Sequence, residues 1–286
     1  MIVFWLSAIA LIITTWNVIS MRVVGLKGAK FVSDSVDILI PMRNEQTNAE
    51  GSLKSLLNSE LLENSEIYAL DDCSIDETAN LIKTFNVNFI SGSDIPKGWL
   101  GKTWACHCLA KAGSGEYLAF IDADVRLHPY AISSAISTMQ GLSWDYISPY
   151  PKQLAGTFLE KLIQPLLQWS WIASVPLRLA EKFPNRAMTI ANGQFFIVKR
   201  SAYEAIGGHQ SISGEILEDL ELARLLTSKG FKGGLAEASS VASCRMYESS
   251  QELIDGYTKS LWRAFGGSMG TIVAIFLLLA TGIAPY

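Results

Sequence analysis

Apolar residues fall into two kinds of pattern along this chain: short β-branched and aromatic runs alternating with helically spaced stretches in the middle, and long uncharged runs at both ends. The run 36–40 is apolar and β-branched and stops at Pro41, and 48–57 has helical spacing at Leu53, Leu56 and Leu57. The unit then repeats. A strand is predicted at 67–70, a helix at 76–85 with Ser74 or Asp76 placed to cap it, and a strand at 87–90. A loop from 92 to 98, a helix at 102–112 and a strand at 117–121 follow. This βαβα order predicts an α/β fold with a doubly wound, mostly parallel sheet and right-handed crossovers.

The second half is less regular. Residues 158–183 mix aromatic, aliphatic and basic side chains around Pro165 and Pro176, which fits either a helix lying in a membrane interface or ordinary core packing. A strand at 190–198 is broken by Asn192-Gly193, a helix runs from 216 to 229 and ends at Gly230, and 236–243 is strand-like.

The chain ends add a second constraint. Residues 1–21 carry no charged side chain and include Trp5 and Trp16, which predicts a transmembrane helix. No basic segment precedes the run, and no small-x-small cleavage site follows it, so a cleaved signal peptide is disfavoured. Arg22, Lys27 and Lys30 come next, which places the following domain in the cytoplasm and the N-terminus outside. Residues 269–286 form another uncharged apolar stretch, readable as a truncated span, a re-entrant helix or a complete span. The expected organisation is a transmembrane helix at 1–21, a basic juxtamembrane linker at 22–35 and a catalytic domain at 36–248 with halves 36–126 and 127–248. An interfacial helix at 249–268, with Tyr257 and Trp262 at headgroup depth and Lys259 and Arg263 toward phosphate, then leads to the hydrophobic segment 269–286. The net charge of -4 argues against a nucleic-acid partner. Cys73, Cys106, Cys108 and Cys244 are spaced neither as a zinc site nor as a disulfide framework, which agrees with a reducing compartment and with small buried or semi-buried residues.

Candidate chemistry begins at Asp122-Ala123-Asp124, immediately after the 117–121 strand. In open α/β sheets the carboxyl ends of strands are where ligands bind, and two carboxylates there suit a divalent cation bridging to phosphate oxygens. An ordinary acidic turn would present the same three residues. A second acidic edge, Asp71-Asp72, follows the strand-like 66–70 and favours the ligand reading.

Five segments then occur in order: Pro41-Met42-Arg43-Asn44-Glu45, Asp71-Asp72-Cys73-Ser74-Ile75-Asp76-Glu77-Thr78, Asp122-Ala123-Asp124, Asn192-Gly193-Gln194-Phe195-Phe196 and Glu218-Asp219. Together they resemble family 2 inverting glycosyltransferases, with the GT-A fold. The resemblance covers about 36–262, and the Asp-Asp-x-Ser-x-Asp-x-Thr segment is its most specific part. Residues 96–102 (Pro-Lys-Gly-Trp-Leu-Gly-Lys), with the flanking hydrophobic segments, look similar to the membrane-bound branch associated with carotenoid and hopanoid glycosylation.

The resemblance implies a nucleotide-diphosphate-sugar donor bound by the 36–126 half, an acceptor bound by the 127–248 half, inversion at the anomeric carbon and a divalent cation, Mg²⁺ or Mn²⁺. Asp124 would ligate the metal, with Asp122 on the metal, its bound water or the ribose. Pro41, Arg43, Glu45 and Asp72 would line the nucleoside, and Lys102 and Arg245 the diphosphate. Asp219 would be the catalytic base beside Glu218, kept ionised near neutral pH by the helix N-terminus. Asn192, Gly193, Gln194 and His209 would border the acceptor. Lys102 also reads as a solvated surface lysine, Asp219 as a helix cap and Asp76 as a cap rather than a ligand.

Where processive relatives carry a Gln/Arg-x-x-Arg-Trp motif, this chain has Lys259-Ser260-Leu261-Trp262-Arg263, which favours transfer of a single sugar. The expected reaction is transfer of one hexose, glucose from UDP-glucose, to a lipophilic hydroxyl or carboxyl acceptor at the bilayer surface. A polyprenyl phosphate acceptor, a catalytically silent nucleotide-binding scaffold and a metal-dependent hydrolase are the alternatives.

Overall fold

The computed structural model describes residues 2–264 and 267–282. The chain divides into two compact units: Arg22–Leu154 with Pro184–Met246, and Met1–Met21 with Ala155–Phe183 and Tyr247–Tyr286. The domain expected as one block at 36–248 is therefore discontinuous, with 155–183 grouped with the terminal helices.

The larger unit holds strands β1 (Val36–Met42), β2 (Ser65–Asp71), β3 (Asn88–Ser91), β4 (Tyr117–Ile121), β5 (Val125–Leu127), β6 (Tyr146–Tyr150), β7 (Lys152–Gln153), β8 (Phe195–Lys199), β9 (Gly233–Glu237) and β10 (Ala242–Cys244). Seven of them form a sheet in the order β3-β2-β1-β4-β8-β6-β9, and β5-β10-β7 form a small one. In the large sheet β8 alone runs antiparallel to its neighbours β4 and β6. Side-chain alternation sends Ile38, Ile40, Ala119, Ile121, Phe195 and Ile197 to one core and Leu39, Leu118, Phe120, Phe196 and Val198 to the other. Both faces are therefore covered, which explains why these strands read as continuous apolar runs.

Numbering helices along the whole chain, α1 (Ile2–Ser20) belongs to the smaller unit. One face of the large sheet carries α2 (Ala49–Leu57), α3 (Thr78–Ile82) and, beyond α4 (Gly101–Ala112), α5 (Ala131–Leu142). The other face carries α4 and, past α6 (Phe158–Ile172) and α7 (Leu177–Lys182) of the smaller unit, α8 (Arg200–Ala205) and α9 (Glu218–Ser228). Pro41 does not stop β1, which runs on to Met42 beside β2. Pairing with β4 has already ended at Leu39, so the N–H that proline lacks is not needed on that side. The strand expected at 190–198 begins only at Phe195, because Asn192 and Gln194 spend their polar groups on a local turn. The 236–243 run splits into the end of β9 and β10.

The smaller unit is helical in its described residues: α1, α6, α7, α10 (Ser250–Ala264) and α11 (Ser268–Gly282). Thr157 caps α6 by accepting the Glu160 N–H, while the Glu160 carboxylate accepts the Gly156 N–H at 2.6 Å. Asn17 of α1 is fully buried. Its amide donates to the carbonyls of Ile172 (2.8 Å) and Val175 (2.7 Å) and accepts the Leu177 N–H, satisfying the backbone where α6 gives way to α7 around Pro176. Large apolar side chains such as Phe4, Leu11, Ile19, Phe158 and Phe276 are instead exposed, while Asn17, Glu160 and Gln164 are buried. Among the described residues no helix is long and apolar enough to cross a membrane. The transmembrane helices expected at 1–21 and 269–286 are thus not supported among the described residues. The side chains of Trp262, expected at headgroup depth, and of Lys259 and Arg263, expected toward phosphate, are outside what the structure describes, as is the end of the chain from residue 283.

Candidate active site

Because β1, β2 and β4 are parallel, their carboxyl ends deliver Pro41–Glu45, Asp71–Asp72 and Asp122–Asp124 to one rim. The loop after β1 is stitched to the loop after β2 by side chains of the Asp-Asp-x-Ser-x-Asp-x-Thr segment. The N–H groups of Asn44, Glu45 and Gln46 donate to Ser74 Oγ (2.9 Å), Thr78 Oγ1 (2.8 Å) and an Asp76 carboxylate oxygen (3.2 Å). Asp76 also accepts the Thr78 N–H at 3.0 Å, so it closes the turn before α3 and points away from any ligand role. Asn44 and Cys73 both adopt left-handed backbone (φ 55°), and Cys73 is exposed rather than semi-buried. At the same edge Arg43 reaches Asp72 at 3.3 Å, and a side chain in place of Gly101 would come within 3.0 Å of the Asp72 carboxylate.

Asp122 is tied down by its backbone N–H, which donates to the Gln194 carbonyl (3.1 Å), and by Lys102 of α4 at 2.9 Å. Lys102 also meets Glu218 at 2.8 Å. This lysine bridges the end of β4 and the start of α9 while 42% of its side chain stays exposed. Burial alone would lower its pKa, but Asp122 and Glu218 hold it well above the usual lysine range. Burial pushes Asp122 up to about 7, with Asp124 and Glu218 adding and Lys102 opposing.

Asp219 stands opposite. Burial, then repulsion from Glu218, pushes its carboxyl up to about 6, with Lys102 and the N–H groups of Leu220 and Gly193 opposing. The helix N-terminus was expected to keep this acid low; burial outweighs it. Asp219 makes no N-cap bond, the N-cap of α9 being Leu217. A Cβ on Gly193 would come within 3.0–3.1 Å of the Asp219 side chain, so any larger residue there forces the Asp219 side chain to shift. Pro41, Lys102, Asp122, Gly193, His209 and Asp219 line one cleft with about 310 Å³ of empty space, part of it open to solvent. His209 is buried against the Tyr203 hydroxyl (2.8 Å to Nδ1), and burial pushes its pKa down to about 3, so it is neutral at physiological pH.

Asp124 sits on a separate scaffold. Cys244 of β10 donates its S–H to one Asp124 oxygen at 3.2 Å, while the other oxygen is buried without a hydrogen-bond partner. Arg126 holds the turn by donating to the Ala123 and Val125 carbonyls and to Asn48 at the start of α2. Glu45, its pKa raised first by burial and also by Asp124, completes the acidic edge. The Arg245 N–H reaches the Asp124 carbonyl at 3.5 Å, and its side chain is exposed. Among the described residues no three His, Cys, Asp or Glu side chains converge into a metal cage. The orphaned Asp124 oxygen nonetheless fits a hard cation that takes one or two carboxylates from the protein and its remaining ligands from phosphate and water.

The structure therefore brings Asp122, Glu218, Asp219, Lys102, Gly193, His209 and Pro41 to one cleft. It sets Arg43, Glu45 and Asp72 along the neighbouring rim, and Asp124 with Arg245 at the end of β10. The side chains of Asn192 and Gln194 bond to each other. Sequence reading missed Arg126 and Cys244, which support the Asp122–Asp124 turn. Their only signal was position: Arg126 two residues past Asp124, Cys244 one before Arg245.

The model of the family described as Glycosyl transferase family 2 matches residues 37–207. The 4,4'-diaponeurosporenoate glycosyltransferase of Staphylococcus aureus (strain MRSA252) is 26% identical over 294 residues, covering 97% of this chain and 76% of that protein. The one from strain bovine RF122 / ET3-1 is 27% identical over 265 residues, covering 90% and 68%. Among solved structures, a mannosyltransferase from Pyrobaculum calidifontis, PcManGT, in complex with GDP-Man and Mn2+, superposes with a TM-score of 0.59 at 15% identity over 90% of this chain and 76% of that one. S. aureus TarS gives 0.55 at 13% identity over 77% and 38%. These likenesses show a GT-A-type α/β fold with a mostly parallel sheet. With the family match spanning more than half of its length, the chain belongs to glycosyl transferase family 2 and is a glycosyltransferase.

Proposed function

We propose that the protein is an inverting glycosyltransferase that moves one hexose, glucose, from UDP-glucose to a lipophilic acceptor of the carotenoid class, at a membrane surface and from the cytoplasmic side. One observation carries this reading: Asp122 at the end of β4 and Glu218–Asp219 at the start of α9 face a single cleft across Gly193. The names of the relatives support the acceptor class, and the nucleotide sugars bound by the structural neighbours support the donor class.

The chemistry follows from the residues. Arg43 and Asp72 line the nucleoside edge, and Lys102, already paired with two carboxylates, is a cation that can turn to an incoming diphosphate. Asp124, with Asp122 beside it, would hold a divalent cation, Mg²⁺ or Mn²⁺, which when bound supplies Lewis-acid stabilisation of the charge developing on the leaving diphosphate. Asp219 accepts the proton of an attacking hydroxyl. With a pKa of about 6 it is ionised at neutral pH, yet basic enough to take that proton. His209 and Gly193 wall the acceptor side.

The exposed apolar side chains of the helical unit, on α1, α6 and α11, support seating in lipid, with those helices dipping into the interface. A lipophilic acceptor partitions into the bilayer while the charged donor stays in water, so catalysis belongs at their boundary. A polyprenyl phosphate acceptor is disfavoured, because the one cation lining the cleft among the described residues, Lys102, is assigned to the donor diphosphate, which leaves none there for an acceptor phosphate. The test is incubation of membranes containing the protein with labelled nucleotide sugars, followed by organic extraction. Label from UDP-glucose recovered in a neutral or carboxyl-ester glycolipid is expected. Label recovered as a sugar-phosphoprenol, or none above membranes lacking the protein, overturns the proposal.

A further inference from the structure

Hydrogen-bond bookkeeping around Gln194 fixes which way its side-chain amide must point. Gln153, from β7, donates through Nε2 to the Pro151 carbonyl (3.2 Å) and to Gln194 Oε1 (2.7 Å). The partner at Pro151 is a carbonyl, which only accepts, so the Gln153 group facing Gln194 is the amide nitrogen and the Gln194 atom facing it is the oxygen. Asn192 says the same from the other side: its Oδ1 accepts the Gln194 backbone N–H (2.8 Å), which leaves its Nδ2 to donate to Gln194 Oε1 (3.2 Å). With its oxygen saturated by two donors, Gln194 turns its NH₂ outward. That nitrogen has no partner among the described residues and is not sealed from solvent, although Gln194 as a whole is 6% exposed.

The position of this NH₂ gives it a use. The Gln194 carbonyl accepts the Asp122 N–H, and Gln153 is register-paired with Cys244, the residue whose thiol meets Asp124. One unpaired N–H donor, the Gln194 NH₂, thus belongs to the residue that is backbone-paired with Asp122. We propose that Gln153 is a positioning residue of the transfer reaction: it locks the Gln194 amide so that its NH₂ donates to an oxygen of the bound substrates beside Asp122. The inference rests on the glycosyl-transfer reading above. Gln153 touches no substrate itself; it removes the alternative rotamer in which Gln194 would present a carbonyl oxygen, which repels a phosphate or a developing oxyanion.

The experiment uses the full chain in membranes or detergent and compares Gln153→Glu with Gln153→Met. A glutamate at 153 can only accept, so Gln194 flips its NH₂ toward it and turns Oε1 to the substrate. Gln153→Met removes the shorter of the two donors and leaves Asn192 to hold the amide, without reversing it. The expected result is a loss of kcat/KM of about tenfold to a hundredfold for Gln153→Glu and a smaller loss for Gln153→Met, both with little change in Tm. In a Gln194→Ala background Gln153→Glu should cause no further loss, because the side chain it acts through is gone. An equal loss in that background, or wild-type kcat/KM in Gln153→Glu, overturns the proposal. A readout independent of turnover separates this from failure of the functional reading: the ¹⁵N-labelled side-chain amide resonances of Gln194 should move in Gln153→Glu, and unmoved resonances overturn the lock even if no sugar is transferred.

Discussion

Replacing Asp219 by asparagine keeps the shape of the side chain and removes the charge, and the structure assigns opposite signs to its effects on activity and on stability. The carboxyl is pushed from 3.8 to about 6 by burial and by Glu218. At about 1.36 kcal/mol per pH unit the ceiling on this strain is about 3 kcal/mol. Lys102 and the open side of the cleft share the charge, which leaves about 1–2 kcal/mol to be recovered by the neutral amide. The sign follows from linkage: a folded-state pKa above the unfolded value favours the protonated folded form. The penalty is therefore absent below about pH 4, grows as pH rises, and is complete above about pH 6. Asp219→Asn should accordingly be more stable than the parent at pH 8 and equal to it at pH 4, as read by denaturant midpoints. Against a lipophilic alcohol acceptor it should lose about 10²- to 10⁴-fold in kcat, the contribution of a positioned general base. The kcat of the parent should fall below about pH 6, where Asp219 takes up its proton. Against a carboxylic acid acceptor, already ionised at neutral pH, the loss should be under about tenfold. A helix cap would behave the other way, with lower stability and intact chemistry. That pattern would falsify the assignment of Asp219 as base.

Four further outcomes follow. Gly193→Ala places a methyl group about 3 Å from the Asp219 side chain and should cut transfer by at least about tenfold with nucleotide binding retained; unchanged transfer, measured by radiolabel, contradicts the cleft geometry. Asp124→Asn should abolish the stimulation of UDP binding by Mn²⁺ in calorimetry while leaving metal-free binding near its parental value; persistence of the stimulation removes Asp124 as a ligand. Arg200→Met strands the buried Asp37, paired to it at 2.6 Å, and should cost about 3–5 kcal/mol in urea unfolding; a cost below about 1 kcal/mol contradicts the burial of that pair. The protein should sediment with liposomes and stay there in high salt, with a blue shift of tryptophan fluorescence from Trp5 and Trp16; release by salt would show that charge, not apolar surface, makes the contact.

The parallel half of the sheet was legible in the sequence because β1, β2 and β4 are covered on both faces and read as unbroken apolar runs ending in acidic residues. The strand at 117–121 was placed without error for that reason. The second half was harder to read. β6 contains a proline, Pro149, β7 spans two residues, and β8 inserts antiparallel between β4 and β6, a choice made by tertiary pairing that no local pattern announces. The acidic members of the cleft were visible as motifs. Lys102 was visible as a candidate too, but its bridge from Asp122 to Glu218 was not, since two carboxylates 96 positions apart share it only after β4 and α9 come together. Nor was the upward shift of Asp219, because burial is a property of the fold and the helix N-terminus is a property of the sequence. The apolar ends read as spans, which the described helices do not support; the buried Asn17 instead ties α1 to the backbone between α6 and α7.

The discontinuity of the α/β unit sets an order on synthesis. When the ribosome has delivered β1 through β7, the sheet still lacks β8, its antiparallel centre, and the cleft lacks α9. Both arrive only after residues 155–183 have emerged and diverted the chain into the helical unit. A nascent chain stalled before residue 195 therefore holds the acidic rim without its opposing wall, and maturation of the catalytic centre waits on the same stretch that carries the exposed aromatic side chains.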